Sequence, residues 1–171
     1  MKANPQSPVF GKPAGGVAAV QLLSAANIRE AEFSAGNTRC TCIALGFCDP
    51  QAVMQCRLLE ERSSFVEKLT VDEGPAAVTH TLHLVADRNL AEAWLEPAFT
   101  AELMTRGAAA VVTLTDGRRV LAGVSRKFGL EQPLRLKLLK VDSGRRLADE
   151  PTVEMVLESV DTSFAAQLEL D

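Results

Sequence analysis

Apolar and polar positions divide the chain into a β-rich first part, one helical segment and a β-rich second part. From Val17 to Ser24, small and β-branched residues (Val17, Val20, Leu22, Leu23) predict a first strand. Ser34–Pro50 is interrupted by Gly36, Asn37, Gly46 and Pro50 and reads as a mixture of short strand and loop. Val53–Glu61 and Phe65–Val71 predict two more strands. The second sets Phe65, Leu69 and Val71 on one side and Lys68 and Thr70 on the other. Asp72-Glu73-Gly74-Pro75 is a turn cluster, and Ala77–Ala86 returns as the second arm of a hairpin.

Over Asp87–Arg106 the period changes. Leu90, Trp94, Leu95, Ala98, Phe99, Leu103 and Met104 recur mostly three and four residues apart, the stripe of a helix packed on a core. Asp87 or Asn89 can cap its start and Gly107 its end. Pro97 removes an amide donor inside the pattern and predicts a kink or two short helices meeting there. Ala109–Thr115 and Arg118–Ser125 then flank Asp116-Gly117. That pairing predicts a tight hairpin with a two-residue loop and positive φ at both central residues. Two further strands follow. In Pro133–Val141, Leu134, Leu136 and Leu138 oppose Arg135 and Lys137; in Thr152–Val160, Val153, Met155 and Leu157 oppose Glu154 and Glu158.

About eight strands and one helical segment near 88–106, without strand–helix alternation, predict an α+β fold. It is predominantly antiparallel, a sandwich or barrel-like. Residues 1–16, with three prolines and three glycines, read as a flexible arm, and 17–171 as a single β-rich domain.

Composition narrows the function classes. No apolar run approaches the ~18 residues a membrane helix needs, and the first 16 residues lack an apolar signal core, so a cytoplasmic protein is expected. A net charge of −4 and a pI of 5.3 disfavour a nucleic-acid binder, as does an aromatic set of seven Phe, one Trp and no Tyr.

Candidate chemistry is sparse. Cys40, Cys42, Cys48 and Cys56 read as reduced, small apolar side chains. They are also the candidate metal ligands, although their spacing lacks paired C-x2-C knuckles. His80 and His83, three apart on a strand, fall on opposite faces and cannot share a metal. Gly11-Lys12 and Gly15-Gly16 lack phosphate-loop spacing, and Lys127 stands where a nucleophile elbow beginning at Gly123 needs its last glycine. The acid pairs Glu60-Glu61, Asp72-Glu73 and Asp149-Glu150 fall at turns and strand ends, where solvated acids are ordinary. No catalytic residue and no cofactor are assigned.

Charge patterning says more. Residues 106–146 carry +7 and the remainder −11. The bland reading is a solvated surface; the sharper one is a dipolar subunit whose positive surface meets a neighbour's negative one. Candidate interaction residues are Arg118, Arg119, Arg126, Lys127, Arg135, Lys137, Arg145 and Arg146.

The order of segments in 76–165 carries a resemblance. The helix Asn89–Leu95 leads to the hairpin Val111–Arg118. Then come Gly129–Leu136, Val141-Asp142-Ser143-Gly144 and the closing run Pro151–Ser163. This order resembles small proteins encoded in prophage regions among genes for virion parts, and is similar in kind to tail-tube and related tail proteins. The resemblance implies a structural subunit that self-associates and meets other virion-type proteins, with a virion location; it brings no site residues. The alternative is a β-rich ligand-binding module or small enzyme with a pocket around Cys40, Cys42 and His80.

Overall fold

The computed structural model describes residues 16–35 and 40–169; the arm expected over 1–16, apart from Gly16, and the Gly36-Asn37 interruption lie outside them. The element order is β1 (Val17–Ser24), β2 (Ile28–Ala35), β3 (Cys40–Phe47), β4 (Val53–Cys56), β5 (Ser64–Thr70), β6 (Ala77–Asp87), α1 (Pro97–Thr105), β7 (Ala108–Leu114), β8 (Arg119–Ala122), β9 (Arg135–Asp142), β10 (Thr152–Asp161) and β11 (Ala166–Leu168). Short 3-10 turns occupy Ala25–Asn27, Arg88–Leu90 and Glu92–Leu95. The fold is a mostly antiparallel α+β sandwich of two sheets that do not close into barrels. Seven strands run in the order β2-β3-β11-β8-β7-β1-β4, and four in the order β5-β6-β10-β9. Among the described strands the β3–β11 pair alone is parallel.

The seven-stranded sheet is forced to curl. β1 and β2 stand five strand spacings apart in the sheet, about 24 Å if it were flat. Yet only Ala25–Asn27 separate Ser24 from Ile28, a reach of at most about 14 Å. Asn27 fastens the curl. Its Nδ2 donates to Asp49 O at 2.8 Å, its Oδ1 accepts from Asp49 N at 2.7 Å, and its carbonyl accepts from Cys48 N at 2.8 Å.

Both faces of that sheet are therefore apolar. On one, Val20, Leu22, Ala110, Val112 and Ala122 pack against Leu82, Leu84, Met155 and Leu157 of the four-stranded sheet. On the other, Leu23, Ala109, Val111 and Leu121 meet Ile28, Cys42 and Leu168 from the curled end. β7 shows why its sequence is small and apolar throughout. Ala108, Ala109, Ala110, Val111 and Val112 are all buried and alternate between the two clusters.

Two short helices meet at Pro97, as its position predicts: the 3-10 turn Glu92–Leu95 ends there and α1 begins with Pro97 in its first turn. Asp87 caps the preceding 3-10 turn by accepting from Asn89 N. Trp94 and Leu103 are buried, whereas Leu90 and Met104 of the same stripe are exposed.

Several expectations are corrected. Among the described residues there are eleven strands rather than about eight, with β2 and β11 unforeseen. The strand from Val53 ends at Cys56, and Glu61, the one described non-glycine with positive φ (59°), turns the chain beyond it. The Asp-Gly hairpin forms, but with a three-residue loop. Leu114 N donates to Arg118 O, Gly117 N donates to Leu114 O, and only Gly117 has positive φ (88°). In β9, Lys137 is an extra residue opposite Val156/Leu157. Leu138 therefore pairs with Val156 on the outer face, 45% exposed, and Leu139 turns inward instead.

Candidate functional site

The four cysteines are free and do not converge. Cys40 and Cys42 lie two apart on β3, where Cys42 belongs to the core inside the curl; Cys56 belongs to the core between the sheets, and Cys48 is exposed. Among the described residues no three His, Cys, Asp or Glu side chains are placed to hold a metal ion. Burial pushes the Cys42 thiol up from its ordinary value and that of Cys56 up to about 12. Both are poor nucleophiles.

His80 and His83 point to opposite faces of β6. His83 Nε2 stands 2.6 Å from Glu154 Oε1 on the outer face, beside Lys140. His80 faces inward, 2% exposed. Its Nε2 lies 3.1 Å from Ser163 O and 3.4 Å from Glu67 Oε1, and its Nδ1 lies 3.5 Å from Ser159 Oγ. A carbonyl oxygen can only accept, so the neutral ring carries its proton on Nε2 and accepts from Ser159 at Nδ1. Glu67 Oε1 also accepts from Ala165 N, which ties the β10–β11 link to β5.

Next to this cluster opens a cleft of about 450 Å³ lined by Cys40, Glu67, Arg118, Val120 and Ser163–Ala165. Arg118 is oriented by Asp116, whose Oδ2 lies 2.7 Å from its Nε. Phe164 is the one exposed aromatic ring among the described residues. The cleft can hold a small polar group between a carboxylate and a guanidinium. It is not a Cys–His catalytic site, because both ring nitrogens of His80 are engaged elsewhere.

A second cavity, about 400 Å³, lies between α1, β1 and the start of β4; its walls include Leu22, Met54, Phe99 and Leu103. Its one charged wall residue is Glu102, whose Oε1 accepts from Ser24 Oγ at 2.5 Å. Gly107 makes this corner possible. It ends α1 at φ +76°, its N–H donates to Glu102 O, and a Cβ there would stand 2.7 Å from Leu134 O.

The eight basic candidates do not form one patch. Arg118 and Arg119 sit at the β7–β8 hairpin, and Arg135 and Lys137 lie along the edge strand β9. Arg145 and Arg146 stand on the β9–β10 loop. Arg126 and Lys127 sit on a turn built around Ser125, whose Oγ donates to Asp161 Oδ1 at 2.8 Å and accepts from Lys127 N and Phe128 N. That serine, rejected as a nucleophile from its sequence context, fastens the turn through a buried carboxylate. Leu147, beside Arg145 and Arg146, is fully exposed and was not among the sequence candidates. Its signal is a lone leucine in a run of turn residues.

Among the described residues no helix is long and apolar enough to cross a membrane. Comparison with protein-family models, curated proteins and solved structures gives no match.

Proposed function

We propose that the chain is a non-enzymatic structural subunit that assembles with copies of itself, of the kind that builds phage-type particles. The supporting observation is the distribution of exposed apolar side chains. Among the described residues, seven of the eleven large ones (Val66, Leu69, Val71, Leu138, Val141, Leu147 and Val160) belong to the four-stranded sheet or its loops. Val66, Leu138 and Val160 share its outer face, each about half exposed. Apolar surface gathered on one layer suits a protein contact better than the same residues scattered singly. Lys137 and Lys140 on β9 discourage the uncontrolled edge pairing that such a sheet invites. Sedimentation velocity of the full chain over a wide concentration range tests this. Association that grows with concentration, with regular particles by electron microscopy, is expected; a monomer at the highest attainable concentration overturns it.

The cleft at Cys40 favours a second reading, a ligand-binding module. Glu67 and Arg118 on its walls suit a small zwitterion. A saturable thermal shift with free amino acids, abolished in Arg118→Ala, is its signature; no shift with any of them overturns it.

A further inference from the structure

We propose that the copies join head to tail, Leu147 of one seated in the cavity between α1, β1 and β4 of the next. This inference rests on the assembly reading above and names its contact.

The projecting side is preformed. Asp149 Oδ2 accepts from the backbone N–H groups of Arg145 and Arg146, both at 2.9 Å, and Asp149 N donates to Arg146 O at 3.0 Å. Asp142 Oδ1 accepts from Gly144 N at 2.9 Å. Asp142 and Asp149 hold the loop's backbone while keeping their charge, and its tip presents Arg145, Arg146 and a fully exposed Leu147. An anchor held in shape before binding loses little freedom on docking.

The receiving side is complementary in shape and charge. The cavity of about 400 Å³ has apolar walls from Leu22, Met54, Phe99 and Leu103, ample for one leucine side chain. Glu102 lies in its wall and offers one carboxylate to Arg145 or Arg146 as they follow Leu147 in. Arg106, one helical turn beyond Glu102, moderates that charge without lining the cavity.

Their placement sets the geometry. Ala108 lines the cavity and is bridged to Leu134, the residue before β9, while the Leu147 loop leaves the far end of β9 after Asp142. Eight strand residues put loop and cavity about 25 Å apart. A chain cannot fill its own cavity, and each contact leaves one loop and one cavity free. Such a heterologous contact closes into a ring or runs on as a filament.

Two variants of the full chain test this by sedimentation velocity. Leu147→Asp removes the anchor, and Ala52→Trp fills the cavity from a lining position. The wild type is expected to grow beyond a dimer, more weakly at high salt. Each variant alone should associate at least about tenfold more weakly. An equimolar mixture should form a discrete one-to-one pair, because one partner keeps its cavity and the other its loop. Leu147 touches no core, so Leu147→Asp should melt as the wild type does. If Ala52→Trp misfolds, the double variant Arg145→Glu/Arg146→Glu replaces it and should weaken association to a similar extent. A wild type that assembles with Leu147→Asp unaffected overturns this contact and leaves the assembly reading standing. A wild type that stops at a dimer overturns the head-to-tail geometry. A monomeric wild type overturns both.

Discussion

The seven-stranded sheet is covered on both faces and the four-stranded sheet on one, and this difference separates structural residues from available ones. The curled sheet spends its apolar residues on two cores, so β7 is small and apolar at every buried position. The four-stranded sheet alternates instead. Along β6 and β10, buried positions face the shared core and half-exposed ones, Thr79, Thr81, His83, Glu154 and Glu158, face outward, with buried Val85 the exception. A sheet with a free face keeps side chains that fold stability does not claim: Val66, Leu138 and Val160 are exposed there, while Leu69 and Val141 are exposed at inward-facing register positions and Val71 and Leu147 on its loops.

The same substitution on the two sheets should expose that division most strongly. Leu121 is fully buried inside the curl, and Leu121→Ala is expected to cost about 2–5 kcal/mol in urea unfolding. Leu138 faces outward from the four-stranded sheet, and Leu138→Ala should cost less than about 1 kcal/mol. Because β1, β7 and β8 contribute to both cores, unfolding should remain a single transition in each variant. Equal costs at the two positions, or two separated transitions, would break the comparison.

How much of this is legible in the sequence depends on whether a strand keeps its phase. β10 alternates without interruption; β1 and β6 stand where the pattern places them, although β1 carries a register shift at Val17/Ala19 and β6 is buried at Leu84, Val85 and Ala86 in succession. β2 carries two register shifts, at Ile28/Glu30 and Glu32/Phe33, which scramble its two-residue period. β9 keeps the look of alternation while a single extra residue, Lys137, sends Leu138 outward. The cleft at Cys40 was half legible. Cys40 and Arg118 stood out by residue type, but Glu67 and Ser163–Ala165 join them only through pairing across distant segments. Asn27 carried no signal, because its importance comes from a curl that local pattern cannot encode.

The buried thiols extend the comparison to pH. Burial raises the folded value of Cys56 from 9.0 to about 12, so between these limits the unfolded chain releases a proton that the folded chain keeps. Stability is therefore intact below about pH 9. It falls as pH rises, by about 1.4 kcal/mol per unit, until the folded thiol ionises. Cys42, raised in the same direction inside the curl, adds to the loss. The chain contains no Tyr, so no phenol titrates in this window. Urea unfolding at stepped alkaline pH should show the decline, and Cys56→Ala should flatten it. An equally steep decline in that variant would mean Cys56 is not its source.

A smaller effect is expected at the fastening of the curl. Asn27→Ala deletes both side-chain hydrogen bonds to Asp49 while leaving the Cys48 N–Asn27 O bond, and should cost about 1–3 kcal/mol. Hydrogen exchange should speed up first at the ends of β2 and β3. Exchange that speeds up in β5 and β9 instead would mean that Asn27 does not hold the curl.

The smallest effect belongs to the loop on the open sheet. Hydrogen bonds from the backbone N–H groups of Arg145 and Arg146 hold the Asp149 carboxyl below the usual carboxylate range. With its folded value lowered, this fixing is complete above the ordinary carboxylate range and is lost as pH falls through the folded value. Asp149→Asn keeps an acceptor oxygen but loses the charge that strengthens both bonds. The amides of Arg145 and Arg146 should exchange faster in the variant, with the urea midpoint unchanged, because the loop packs on neither core. Acid should do the same to the wild type and change the variant much less. A loop that loosens locally in this way differs from Asn27, whose loss is felt by the sheet it closes. A shifted midpoint in Asp149→Asn would erase that distinction and make the β9–β10 loop part of the folded core.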